Sequence, residues 1–195
     1  MERAELSVML VDDETERAQL LEQALQQHGY QVICRLTSTA ALRHHVERLQ
    51  PDMIIIDMDS PDRDTLEHMA VISQHNPKPI VFFAEQDQDP DNIRLAIQAG
   101  VSAYIVDGLT PKRVKPILDV AIARFHEFQQ LRQQLASSQT ALAEQQLLDK
   151  AKRLLIKHRG CTETEAFQTL RKLAMDRQQK MTDVARDLIS LMEVL

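Results

Sequence analysis

Apolar and polar positions alternate along the first 110 residues in two registers. Short apolar runs occur at Leu6 to Val11, Met53 to Ile56, Ile80 to Phe83 and Ala103 to Val106, with a weaker one at Gln31 to Leu36. Amphipathic stretches separate them; in Glu16 to Gln27, for example, Ala18, Leu21, Ala24 and Leu25 share one helical face. Apolar runs bounded by amphipathic helices are strands covered on both sides. The pattern therefore predicts an α/β unit, a five-stranded, doubly wound parallel sheet built from five βα repeats. Gly29 and Gly100 each stand just before a predicted strand, where a left-handed residue ends a helix.

Beyond Pro116 the pattern changes. All seven prolines lie between Pro51 and Pro116, and residues 117–195 hold one glycine, Gly160, so this stretch predicts helix throughout. Phe128, Leu131, Leu135, Ser138, Leu142 and Gln145 fall on a/d spacing, a short heptad seam with two polar interruptions. Such a stripe predicts a parallel coiled-coil homodimer; a helix folded back on its own domain is the alternative. Leu147, Leu148, Ala151, Leu154 and Leu155 continue the helical spacing to a stop at Arg159-Gly160. Thr162 and Glu165 then form a capping box for a second helix carrying Ala166, Phe167, Leu170, Leu173 and Ala174, and Thr182 starts a third. Phe167 lies on that apolar stripe and is read as core sooner than as a stacking platform. The expected division is 1–120 for the α/β domain, 121–147 for the coiled coil and 148–195 for a small all-α three-helix domain.

Composition narrows the class. With 195 residues, 44% apolar and 27% charged, the chain suits one domain plus an appendage and is too apolar for disorder. No apolar run approaches the ~20 residues of a membrane span. The first residues carry Glu2, Arg3 and Glu5 without a signal-like apolar stretch, and Cys34 and Cys161 lie far apart, so a cytoplasmic protein without disulfide or zinc framework is expected. The net charge of −6 conceals a split: residues 1–149 hold 13 Lys/Arg and 23 Asp/Glu (−10), residues 150–195 hold 10 and 6 (+4). A basic tail on an acidic body suits a polyanion, and charge alone leaves an ordinary solvated face equally open.

Candidate chemistry collects at the strand ends, as it does in open α/β sheets. Asp12, Asp13 and Glu14 follow the first predicted strand and Asp57 the third. Converging carboxylates repel one another unless a cation neutralises them, and hard oxygen ligands suit Mg²⁺. A carboxylate beside such an ion can attack a phosphoryl group to give an aspartyl-phosphate.

Val11-Asp12-Asp13-Glu14 followed by Ile54-Ile55-Ile56-Asp57, with Pro61 four residues on, resembles the flavodoxin-like receiver domain of two-component response regulators over about residues 5–125. The resemblance implies Asp57 as phosphoacceptor, with Asp12, Asp13, Asp57 and the backbone carbonyl of Asp59 around Mg²⁺. Two positions depart from that family. Ala84 stands where strand four usually ends in Thr or Ser, and Asp107, before Gly108, replaces the usual Lys. A phosphoryl group would meet an anion where its counter-charge is expected. Phosphotransfer and a pseudo-receiver that signals by partner sequestration both stay open.

The tail's cations include Lys152, Arg153, Lys157, Arg171, Lys172 and Arg177, and a bundle so decorated can read DNA, RNA or protein. Ala151-Lys152-Arg153-Leu154-Leu155-Ile156, Thr162 to Arg171, Ala174-Met175-Asp176-Arg177 and Val184 to Ile189 together resemble the ANTAR domain of the AmiR and NasR antitermination regulators. The details around Asp57 and Val106-Asp107-Gly108 are similar to the NasT type, which serves nitrate assimilation. That resemblance implies a transcription antitermination regulator that binds paired hairpins in nascent leader RNA; those six cations are the RNA-binding candidates the sequence offers, each also open to being a solvated surface charge. It also implies a controlling partner, a nitrate/nitrite-sensing inhibitory protein or a sensor kinase. The alternative is a DNA-binding response regulator whose last two helices form a helix-turn-helix. Against it stands the turn Asp176 to Met181, which lacks glycine and is longer than such a turn uses. No catalytic triad, Cys/His pair or phosphate-binding glycine loop marks an enzyme.

Overall fold

A computed structural model of the chain describes residues 6–84, 89–106 and 111–192. Asp107 and Gly108, like the first five residues, lie outside them. The chain forms two compact units, Met1–Gln129 and Gln130–Leu195.

The first unit alternates strand and helix throughout: β1 (Leu6–Asp12), α1 (Thr15–Gln27), β2 (Tyr30–Leu36), α2 (Leu42–Leu49), β3 (Met53–Met58), α3 (Arg63–His75), β4 (Ile80–Ala84), α4 (Pro90–Gln98), β5 (Ala103–Val106) and the start of α5 (Pro111–Arg159). All pairings are parallel, in the order β2-β1-β3-β4-β5. The order reverses between β1 and β3, so their carboxyl ends flank the crevice where ligands bind in this class of sheet. Val8 and Leu10 of β1, with Ile55, Val81 and Phe83, pack under α1 and α5; Met9, Val11, Ile54, Ile56, Phe82 and Ala84 pack under α2, α3 and α4. Both faces of each central strand are buried, which is why these runs read as apolar throughout.

The predicted caps are present. Gly29 and Gly100 have φ of +80° and +99°. At Gly100 a Cβ would stand 2.2 Å from Ser73 Oγ, so backbone conformation and space both call for glycine.

The second unit consists of the end of α5, α6 (Glu163–Arg177) and α7 (Met181–Met192). Ala151 and Leu155 of α5, Ala166, Leu170 and Ala174 of α6, and Val184, Ala185 and Ile189 of α7 form its core. The capping box is formed: Thr162 N–H donates to Glu165 Oε2 at 2.8 Å, and Glu165 N–H to Thr162 Oγ1 at 3.4 Å.

Three features differ from the sequence reading. Helix α5 begins at Pro111, with Pro116 inside it. At the sixth position of the helix Pro116 forfeits one bond, the one a residue 116 amide would donate to the Lys112 carbonyl. The connecting helix and the first helix of the tail are one element, since no breaker interrupts residues 117–159. Finally, the α6–α7 connection is only Gln178-Gln179-Lys180. Gln178 takes the left-handed conformation (φ 53°) that a glycine was expected to supply, and Gln178 and Gln179 N–H groups close onto Met175 and Ala174 carbonyls. Three residues is a length that a helix-turn-helix uses, so the connection does not exclude one.

Candidate functional sites

The strands themselves extend into the acidic residues. Asp12 ends β1 and pairs in register with Asp57 of β3, and both are buried, their side chains 1% exposed. Two adjacent buried carboxylates cost heavily without a cation. Among the described residues the cation at this site is Arg17, in the first turn of α1. Its Nη2 lies 3.0 Å from both Asp12 Oδ1 and Asp13 Oδ1, its Nη1 3.3 Å from Glu14 Oε2, and its Nε 3.5 Å from Asp57 Oδ2. Nη2 also reaches the Asp57 carbonyl oxygen at 3.4 Å. Glu14 N–H donates to Asp12 Oδ1 at 2.8 Å, which fixes the turn leading into α1. Partial burial works against the charge of Arg17, but the Asp12 hydrogen bond and the charges of Asp57, Asp12 and Asp13 outweigh it and raise its pKa. Asp59 is exposed in the loop after β3. Ala84 ends β4 and pairs with Met58, and Tyr104 of β5 stacks on Phe82 with ring centroids 5.1 Å apart.

The residues do not fit Mg²⁺ in this arrangement. Mg²⁺ demands near-octahedral oxygens at about 2.0–2.1 Å, and here the facing oxygens of Asp12 and Asp13 are bonded to a guanidinium. Among the described residues no three His, Cys, Asp or Glu side chains are grouped to hold a metal ion.

The second unit presents its cations differently. Arg153 and Lys157 are one helical turn apart on α5 and exposed, and Arg171 and Lys172 are exposed on α6. None of these four makes an ion pair among the described residues. Lys152 is held between Asp149 (2.8 Å) and Glu163 (2.7 Å), and Arg177 stands 3.9 Å from Asp187. Phe167, expected in the core, is 42% exposed. With Arg171 and Met175 it forms an exposed i, i+4, i+8 stripe of α6, one position away from the buried Ala166, Leu170, Ala174 line.

Comparison with known proteins follows the same division. Residues 8–119 match the response regulator receiver domain, and residues 129–189 match the ANTAR domain. The chain is an ANTAR response regulator. This ANTAR response regulator is 29% identical over 178 residues to the transcriptional regulatory protein PdtaR of Mycobacterium tuberculosis, covering 91% of the chain and 86% of that protein. It is 41% identical over 85 residues to the nitrate regulatory protein of Klebsiella oxytoca, covering 44% of the chain and 22% of that protein. Its receiver fold superposes on a LuxR-family DNA-binding response regulator from Staphylococcus aureus (TM-score 0.53, 18% identity, 60% of this chain and 98% of that one). It also superposes on the signal receiver domain of a modulated diguanylate cyclase from Desulfovibrio desulfuricans (TM-score 0.54, 20% identity, 62% and 96%). These likenesses establish the sheet and its helices. No described helix of this ANTAR response regulator is long and apolar enough to cross a membrane.

Asp12, Asp13 and Asp57 thus meet as the sequence suggested, and Arg17, which the sequence reading passed over, sits among them. A signal for it existed: Asp13 and Glu14 precede it by four and three residues, the spacing of helical ion pairs.

Proposed function

We propose that this ANTAR response regulator is an RNA-binding antiterminator: its C-terminal unit binds paired hairpins in nascent leader RNA and keeps a terminator from forming. The observation that carries this reading is the set of exposed cations Arg153, Lys157, Arg171 and Lys172, without ion pairs among the described residues, together with the exposed ring of Phe167. RNA loops are held by cations on phosphates and by planar side chains under splayed bases. Arg177, 3.9 Å from Asp187, is a further candidate contact at the end of α6. Lys152, engaged by two carboxylates, belongs to the joint between α5 and α6.

Phe128, Leu131, Leu135 and Leu142 are each more than half exposed, which supports pairing of two chains through a coiled coil along α5. A dimer offers two C-terminal units to two hairpins. The similarity to a nitrate regulatory protein supports control of nitrate or nitrite assimilation genes. Asp57 keeps the phosphoacceptor position, but Ala84 removes the hydroxyl expected beside it. A ligand-sensing inhibitory protein therefore suits the receiver as input better than a sensor kinase, with the acidic unit silencing the basic one until release.

The three-residue α6–α7 turn gives a DNA-binding helix-turn-helix a second hearing. In that arrangement α7 is the recognition helix, yet its charged residues are Asp183, Arg186 and Asp187, net −1, with Arg186 bonded to Asp183 at 3.0 Å. Such a helix is repelled by a phosphate-lined groove. Filter binding of the full chain to a two-hairpin leader RNA, a scrambled single strand and duplex DNA tests the choice. Selective binding of the hairpin RNA, weakening steeply with salt, is expected. Equal affinity for the scrambled strand, or preference for duplex DNA, overturns it.

A further inference from the structure

We propose that Arg17 is a tethered counter-ion that occupies the receiver's acidic site in place of a divalent metal, making this receiver metal-independent. Four oxygens at the ends of β1 and β3, Asp12 Oδ1, Asp13 Oδ1, Asp57 Oδ2 and the Asp57 carbonyl, each lie within 3.5 Å of an Arg17 guanidinium nitrogen. A free ion has to displace a group that the chain holds at high effective concentration, because α1 begins two residues before Arg17 and fixes its Cα beside the site. The planar fork is well matched to this position, since it donates to several carboxylates at once and cannot lose its proton. Nor does the site impose the short, octahedral shell that Mg²⁺ needs before it gives up its waters.

Electrostatics do not oppose the exchange. Among the described residues Asp12, Asp13, Glu14 and Asp57 set four carboxylates against the one guanidinium of Arg17, so the rim still attracts cations. Attraction at the rim is diffuse and screened by salt, whereas coordination requires the inner oxygens that Arg17 holds. The consequence for signalling is specific. Any input that uses this site must first move Arg17, and metal availability does not set the state of the receiver. This inference concerns the receiver alone and stands or falls apart from the RNA reading.

The test is Mn²⁺ binding to the full chain, read from the loss of the free-ion EPR signal and competed with Mg²⁺ at constant ionic strength. Arg17→Gln, which keeps hydrogen-bonding capacity and removes the charge, is expected to bind the ion at least about tenfold more tightly than wild type. Arg17→Lys is expected to stay near wild type. Wild-type affinity equal to that of Arg17→Gln overturns the proposal. If Arg17→Gln does not fold, wild type decides the matter: its Arg17 Nε–Hε NMR resonance, identified by its loss in Arg17→Lys, is expected to stay unmoved by Mg²⁺. A shift of that resonance toward the position of solvent-exposed arginines as Mg²⁺ is added overturns the proposal.

Discussion

In the N-terminal unit Asp12, Asp13, Glu14 and Asp57 converge on the guanidinium of Arg17. In the C-terminal unit Arg153, Lys157, Arg171 and Lys172 stand exposed, with no carboxylate in ion-pairing range among the described residues. Both regions concentrate charge, yet one supplies its own counter-ion and the other leaves its cations without one among the described residues. A charged cluster that is satisfied within the fold is a poor guide to a ligand, however closely its residues match a family motif. Exposed and unpaired charge is the better guide, because its electrostatic free energy is still available to an incoming polyanion.

That contrast is broken most completely by unfolding one side of it. Leu170 lies fully buried at the centre of the small C-terminal core, and Leu170→Ala is expected to cost about 2–5 kcal/mol. A unit of this size has little more stability than that in total, so RNA binding should vanish while the receiver keeps its own melting transition in calorimetry. Loss of both transitions together would show that the units do not fold separately. Next in size is the combined change of Arg153, Lys157, Arg171 and Lys172 to Ala. The slope of log affinity against log salt should become shallower by about 1 for each cation that touches phosphate, with the fold unchanged by circular dichroism. An unaltered slope would locate the RNA elsewhere.

The sheet and the caps were legible because they rest on local signals: unbroken apolar runs for β1, β3 and β4, glycines at Gly29 and Gly100, and a Thr-x-x-Glu at Thr162. Asp12 and Asp57 were legible as a pair because parallel strands bring their carboxyl ends together. Arg17 was not, since a lone arginine in a first helical turn reads as surface charge, and its role depends on Asp57, 40 residues away. Phe167 was misplaced for a subtler reason. Ala166, Leu170 and Ala174 define the buried line of α6, and a residue one step off that line belongs to either face until α5 and α7 are packed against it. The α6–α7 turn was overestimated because Gln178 ends the helix in a conformation normally signalled by glycine.

A smaller effect sharpens the contrast at the cap of α6. Thr162→Ala is expected to cost about 1 kcal/mol, measured as a lower melting temperature of the C-terminal unit. The same substitution should change its acid sensitivity. Hydrogen bonds from the Thr162 backbone N–H and hydroxyl hold the Glu165 carboxyl below its ordinary pKa. A depressed carboxyl contributes stability that is present above its unfolded value of about 4.3 and is lost as pH falls through the lower folded value. Wild type should therefore lose more stability between neutral pH and pH ~3 than Thr162→Ala, which lacks one of the two donors.

The smallest effect is the most diagnostic, because Lys152 sits on the boundary of the comparison. It belongs to the basic unit by sequence, yet like Arg17 it has its counter-ions within the fold: Asp149 one turn earlier on α5, and Glu163 at the start of α6. The hydrogen bonds it donates to Asp149 and then to Glu163 raise its pKa, so it remains charged at working pH. A lysine whose charge is already offset releases few counter-ions when a polyanion arrives. Lys152→Ala should leave the salt slope of RNA binding where it is in wild type. Its cost should appear in thermal stability, smaller than that of Thr162→Ala and shrinking as salt is added, because ion pairs to solvent-open carboxylates are weak and screened. A shallower salt slope at unchanged stability would place Lys152 against the RNA and would mean that its carboxylates give it up on binding. In that case pairing within the fold would no longer separate the two kinds of charged cluster, and the assignment of Arg17 would rest on metal binding alone.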